Sequence, residues 1–147
     1  MKYKRILLPL DGSSMAERAL PHAAAQAECF GAELILLRVL EPFPYVRGMS
    51  LAALERMREE TNEWVQDYLD RLSTALQERG IQVKTVIAEG PEFRKRLCFI
   101  AENQVDLIVI CTRGRSGLSR WLMGSVADRV VRGATVPVLL VRGASEE

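Results

Sequence analysis

Five short apolar runs, separated by stretches of helical character, constrain this chain more than any other feature. They are Lys4–Leu10 (KRILLPL), Glu33–Leu40 (ELILLRVL), Ile81–Ala88, Val105–Thr112 and Val136–Val141. Each has the length of a strand, and the runs that lack alternating polarity suit strands covered on both faces. Ile81–Ala88 alternates apolar and polar residues, as an edge strand does. Strands that alternate with helices along the whole chain imply a parallel sheet, and right-handed crossovers leave few ways to wind it. The expected fold is α/β, a doubly wound, Rossmann-like, five-stranded parallel sheet with helices on both faces. At 147 residues, 48% of them hydrophobic, the chain reads as one domain, 1–147, with a sizeable core.

Ser14-Met-Ala-Glu17 has the spacing of a capping box, so a helix is expected from there to about Phe30, with Gly31 ending it. Pro21 falls inside that span, where its missing amide bends or weakens a helix. After an irregular loop from Glu41 to about Ser50, residues Leu51, Leu54, Met57, Trp64, Tyr68, Leu72 and Ala75 recur at helical spacing up to Gly80. Trp64 and Tyr68 read as core anchors. Pro91-Glu92 opens a third helix with Phe93, Leu97 and Ile100 on one face, and Arg94-Lys95-Arg96 reads as its solvated side. Gly124–Arg132 is a short helix capped by Gly133. His22 reads as a plain helix residue.

A formal net charge of +1 gives no global field toward nucleic acid or membrane, so neither is an expected partner. No apolar run approaches the roughly 18 residues of a membrane span. The start MKYKRILLPLDG reads as a first strand, not as a signal peptide. Three widely spaced cysteines, Cys29, Cys98 and Cys111, read as free thiols in a reducing cytoplasm, the expected location.

In a doubly wound sheet, ligands bind beyond the carboxyl ends of the strands where the winding reverses. If strand one lies beside strand four, Pro9-Leu10-Asp11-Gly12 and Cys111-Thr112-Arg113-Gly114 flank that crevice. The segment from Arg113 to Gly133 holds five arginines and one acid, Asp128, a local charge of about +4. Gly114 and Gly117 permit a loop whose amides converge, and Gly124-Ser125 opens a helix whose free amides favour an anion. Such chemistry suits a polyphosphate. Asp11 can accept a hydrogen bond from a sugar hydroxyl or help to hold phosphate-bound Mg²⁺. Simpler readings stand beside these: Asp11-Gly12 as an ordinary turn, and Ser125-Val-Ala-Asp128 as only a capping box. There is no P-loop, no dinucleotide fingerprint and no nucleophile elbow, and Asp11 is the only evident acid or base. Binding is expected in preference to turnover, with slow hydrolysis of the bound polyphosphate as an alternative and no catalytic residue assigned.

The opening ILLPLDGS, the block DLIVICTRGRSGLSRWLMGSVADRV and the closing VPVLLV together resemble the universal stress protein family over nearly the full length. The resemblance implies strand order 3-2-1-4-5 and a homodimer. ATP-binding members carry G-x-x-G, nine residues, then G-[ST]. Gly114, the nine residues Arg115 to Met123, and Gly124-Ser125 keep the second part, while Cys111 stands where the first glycine falls. By the resemblance, ATP with Mg²⁺ held through its phosphates, or AMP or another adenylate, would touch Pro9, Leu10 and Asp11, Val39 beside the adenine, and Ile110, Cys111, Gly114, Gly124, Ser125 and Val126. The Cys111 side chain is expected to crowd that pocket and weaken binding. VPVLLV is apolar on both faces at the end of the sheet, and such an edge invites pairing. Pro137 suits an edge because it donates no ladder bond. The expected partner is therefore a second copy through 136–141; a nucleotide-independent interaction module that engages another protein is the alternative.

Overall fold

The computed structural model describes residues 1–40, 42, 46–112 and 131–143. Five parallel strands form one sheet in the order β3-β2-β1-β4-β5. In chain order the elements are β1 (Arg5–Leu10), α1 (Ser14–Glu17), α2 (Leu20–Phe30), β2 (Glu33–Leu40), α3 (Leu51–Gln77), β3 (Val83–Glu89), α4 (Glu92–Glu102), β4 (Leu107–Thr112) and β5 (Val138–Arg142). The expected doubly wound sheet is the one observed, with β3 and β5 at its edges.

β1 lies at the centre, and all of its residues from Ile6 to Leu10 are buried. Alternate side chains enter two separate cores. Ile6, Leu8 and Leu10 join Leu34, Leu36, Leu107 and Val109 beneath α2 and α3. Leu7 joins Ile35, Leu37, Val39, Ile108 and Ile110, with Ile100 of α4 packed on them. A strand clothed on both faces has no polar face to show, which is why β1, β2 and β4 read as continuous apolar runs. Among the described residues no helix is long and apolar enough to cross a membrane.

The expected first helix is two helices. Ser13, not Ser14, is the cap of α1: its hydroxyl accepts from the Ala16 amide at 3.1 Å. The hydrogen bonding then tightens at Arg18 and Ala19, whose amides reach back only three residues to Met15 and Ala16, and Pro21 falls in the first turn of α2. A proline there lacks only an amide that would have no helical partner, so the chain restarts instead of kinking. Ala19, Ala23, Ala24 and Ala27 are buried and let α2 lie close on the sheet. Gly31 ends it at φ 62°, the left-handed region that glycine enters at little cost.

α3 differs from expectation in rotation. Its buried residues are Val65, Leu69, Ser73 and Leu76. Trp64 is 63% exposed and Leu51 74%, while Tyr68 packs half-buried at the edge of the core. Trp64 is not a core anchor. The helix carries two adjacent apolar stripes, and the sheet takes the one that begins at Val65. Ile100 is buried on α4 as expected; the side chains of Phe93 and Leu97 lie outside the described residues. β5 begins at Val138, and the Pro137 carbonyl just before it accepts from the Ile108 amide at 3.0 Å. The expected helix Gly124–Arg132 lies outside the described residues except for its end, with 131–133 helical.

The rotation of α3 is testable. Leu69→Ala should lower unfolding stability by about 2–5 kcal/mol, the range for emptying a packed leucine site. Trp64→Ala should change it by less than about 0.5 kcal/mol. Urea denaturation of the two variants reads both, and a larger loss for Trp64→Ala would overturn the assignment of the buried face.

Candidate functional site

β1 hydrogen-bonds on both edges, to β2 on one side and β4 on the other, so the winding reverses there. The two ladders are unequal. Against β2, pairing runs from Arg5 to Leu10; against β4 it covers only Ile6↔Leu107 and Leu7↔Ile108. Backbone alternation supplies a reason. The Lys4 carbonyl accepts from Glu33, ahead of the β2 ladder, and the Arg5 carbonyl accepts from Asp106, ahead of β4. Odd-numbered residues of β1 therefore address β4, and the next after Leu7 is Pro9. A proline inside a central strand has no amide to give. The ladder stops where that amide would be needed, short of the carboxyl ends of β1 and β4.

Asp11 follows at the end of β1, at the mouth of the expected crevice. Its Oδ1 accepts from the Ser13 amide at 2.8 Å, the turn that a short acidic side chain makes with its own backbone. At least that oxygen serves the local turn, so the structural reading of Asp11-Gly12 holds at the level of the loop. Gly12 has φ 85°, and the Arg38 guanidinium lies 3.8 Å from the position of a Cβ there. A side chain at Gly12 would be strained by conformation, while Arg38 would meet it only at ordinary van der Waals distance.

The expected site residues fall on different layers. Val39 and Ile110 are 4% and 5% exposed and share the core under α4. Leu10 and Cys111 belong to the opposite layer, against α2 and α3. The Cys111 Sγ lies 3.6 Å from the Thr112 carbonyl oxygen and 3.6 Å from the position of a Gly143 Cβ, with an Arg18 nitrogen 3.7 Å from that same point. Burial pushes the thiol pKa up, and the Arg18 charge opposes part of that rise. Cys111 therefore directs its side chain toward the layer of α2 and α3, away from the layer of Val39. Pro9 is buried and Asp11 exposed. Gly114, Gly124, Ser125 and Val126, together with Arg113, Arg115, Gly117 and Arg120, lie outside the described residues.

Sequence reasoning missed a polar group beside the mouth. Tyr68 of α3 donates to Glu17 Oε1 at 2.7 Å, bridging α3 to α1. Burial first, then the Glu17 carboxylate, push the Tyr68 pKa up; Arg38 works against the rise and Asp11 adds to it. Tyr68 thus lies close enough to feel the charges of Glu17, Arg38 and Asp11. The available signal was Arg38, a charge interrupting the apolar run ELILLRVL.

The role given to Pro9 predicts the behaviour of Pro9→Val. The variant regains an amide facing β4, so by hydrogen exchange that amide should be protected and the Tm should rise. A freely exchanging amide at position 9 would show that the ladder stops for another reason.

Comparison with known proteins follows the same architecture. The model of the universal stress protein family matches residues 2–142. A universal stress protein of Methanocaldococcus jannaschii is 34% identical over 145 residues, spanning 99% of this chain and 85% of its own. The solved structure of a second protein from that organism, 27% identical, superposes with a TM-score of 0.82 and covers 99% of this chain and 100% of its own. A universal stress protein solved in complex with cAMP has a TM-score of 0.73 over 97% of this chain and 98% of its own; at 22% identity that likeness is one of fold.

Proposed function

The chain belongs to the universal stress protein family, and on that premise we propose that it binds an adenine nucleotide, ATP with Mg²⁺, at the carboxyl ends of β1 and β4, as a regulatory ligand in a stress response. The observation that carries this reading is the early end of the β1–β4 ladder beside a loop of Asp11 and Gly12. Crevices at such reversals are where doubly wound sheets take ligands. The described part of the site fits the group. Val39 and Ile110 are apolar and share one layer, chemistry suited to a purine, and Asp11 is exposed at the end of β1. The motif Gly114-x9-Gly124-Ser125 supplies main-chain amides for phosphates. Mg²⁺, held through those phosphates, would neutralise part of their charge. A protein of the same fold solved with cAMP supports the adenine class. Bound nucleotide stabilises the conformation that holds it and thereby shifts the surface that a partner meets.

Titration of the purified protein with fluorescently labelled ATP, with and without Mg²⁺, tests this. Saturable binding is expected, and Gly124→Val should weaken it most, because a branched side chain blocks close approach to the backbone. No saturation up to millimolar ATP would overturn the nucleotide reading and favour the interaction module.

The partner in this reading is a second copy, joined through the edge strand β5 in the cytoplasm. Leu140 on that edge is 41% exposed beside half-buried Val138 and Leu139, an apolar edge of the kind that pairs. Identical edges meeting across a twofold axis make a closed dimer. Sedimentation should give a dimer for the parent and a shift toward monomer for Leu140→Lys; a monomeric parent would remove the proposal.

A further inference from the structure

We infer that Tyr68 is a positioning residue for the loop 11–13, which it holds in place through Glu17 and α1; the consequence for ligand binding rests on the nucleotide reading above. α1 has four residues and none of them is buried. One turn of helix is too short to stand by its own hydrogen bonds. Its supports are therefore its cap and its side-chain contacts. Ser13 caps it from the loop side at 3.1 Å, and Ala16 packs partly on the core. From the other side, the Tyr68 hydroxyl reaches Glu17 at 2.7 Å across 51 residues of sequence.

The anchor is seated in the core where α1 is not. Tyr68 sits between Val65 and Leu69, both buried in the sheet-facing stripe of α3. A hydrogen bond to a carboxylate is among the stronger kinds. Loop and helix form one unit, because Asp11 Oδ1 and Ser13 N close the turn and Ser13 Oγ begins α1. Moving Glu17 therefore moves Ser13, and with it the Gly12 peptide at the mouth of the crevice. Arg38 borders the same unit from β2 at Gly12. A residue outside the set of expected contacts thus sets where those contacts stand.

Two measurements on the full chain test the inference. Without ligand, hydrogen exchange by mass spectrometry should show amides 12–18 exchanging about tenfold faster in Tyr68→Phe, the factor expected when a charge-assisted bond is lost. Glu17→Leu should match it, and the double variant should be no worse than either single change. Glu17→Gln, which keeps an acceptor oxygen, should restore protection. With labelled ATP, Tyr68→Phe and Glu17→Leu should bind several-fold more weakly, with Glu17→Gln close to the parent. Unchanged exchange at 12–18 would overturn the anchoring, and faster exchange with full ATP affinity would overturn the positioning role. A parent that binds no ATP would overturn the nucleotide reading alone, because the ligand-free exchange decides the anchoring by itself.

Discussion

β1 is held on both edges by parallel neighbours and on both faces by apolar side chains, and its one irregular residue is Pro9. Those facts together organise the molecule. Full burial of Ile6 to Leu10 makes this strand the place where two cores meet back to back. The missing amide of Pro9 falls on the β4 side, and the pairing there ends after Leu7. The β1–β4 ladder therefore ends short of the carboxyl end of the sheet, next to the turn made by Asp11 and Ser13. Stability and the candidate site come from the same strand, at successive residues.

What surrounds that end is built from short, polar, long-range ties. α1 is too small to support itself and hangs between its own cap and Tyr68 of α3. Arg18, leaving that helix, comes near Cys111 of β4 and Gly143 beyond β5. The mouth of the crevice is thus braced by elements that are distant in sequence and separately anchored in the core. α1 adjoins the β1 loop, and Arg18 just after it reaches the residue beyond β5.

The fold was legible because burial on two faces writes itself into strands as unbroken apolar runs; ELILLRVL was bounded to the residue. Local punctuation was legible as well, Gly31 above all. The errors lie where two neighbouring choices are equal in local energy. Ser13 and Ser14 are both competent caps, and the tie with Asp11 selects Ser13. α3 offers adjacent stripes, one with Trp64 and Met57, the other with Val65, Leu69 and Leu76. Only contact with the sheet chooses between them. Of the candidate site, the strand ends were legible as positions, but the side of the sheet that each addresses was not.

The sequence by itself determined the class of fold, the number of strands and the segments that flank a crevice, because hydrophobic periodicity and turn chemistry are local properties. Tertiary structure alone decided that Cys111 faces α2 and not the layer of Val39, that Trp64 meets solvent, and that Tyr68 reaches Glu17. Those outcomes depend on strand register, helix rotation and distances between residues far apart in the chain. No local preference encodes them, since each is settled only when separate elements compete for the same space.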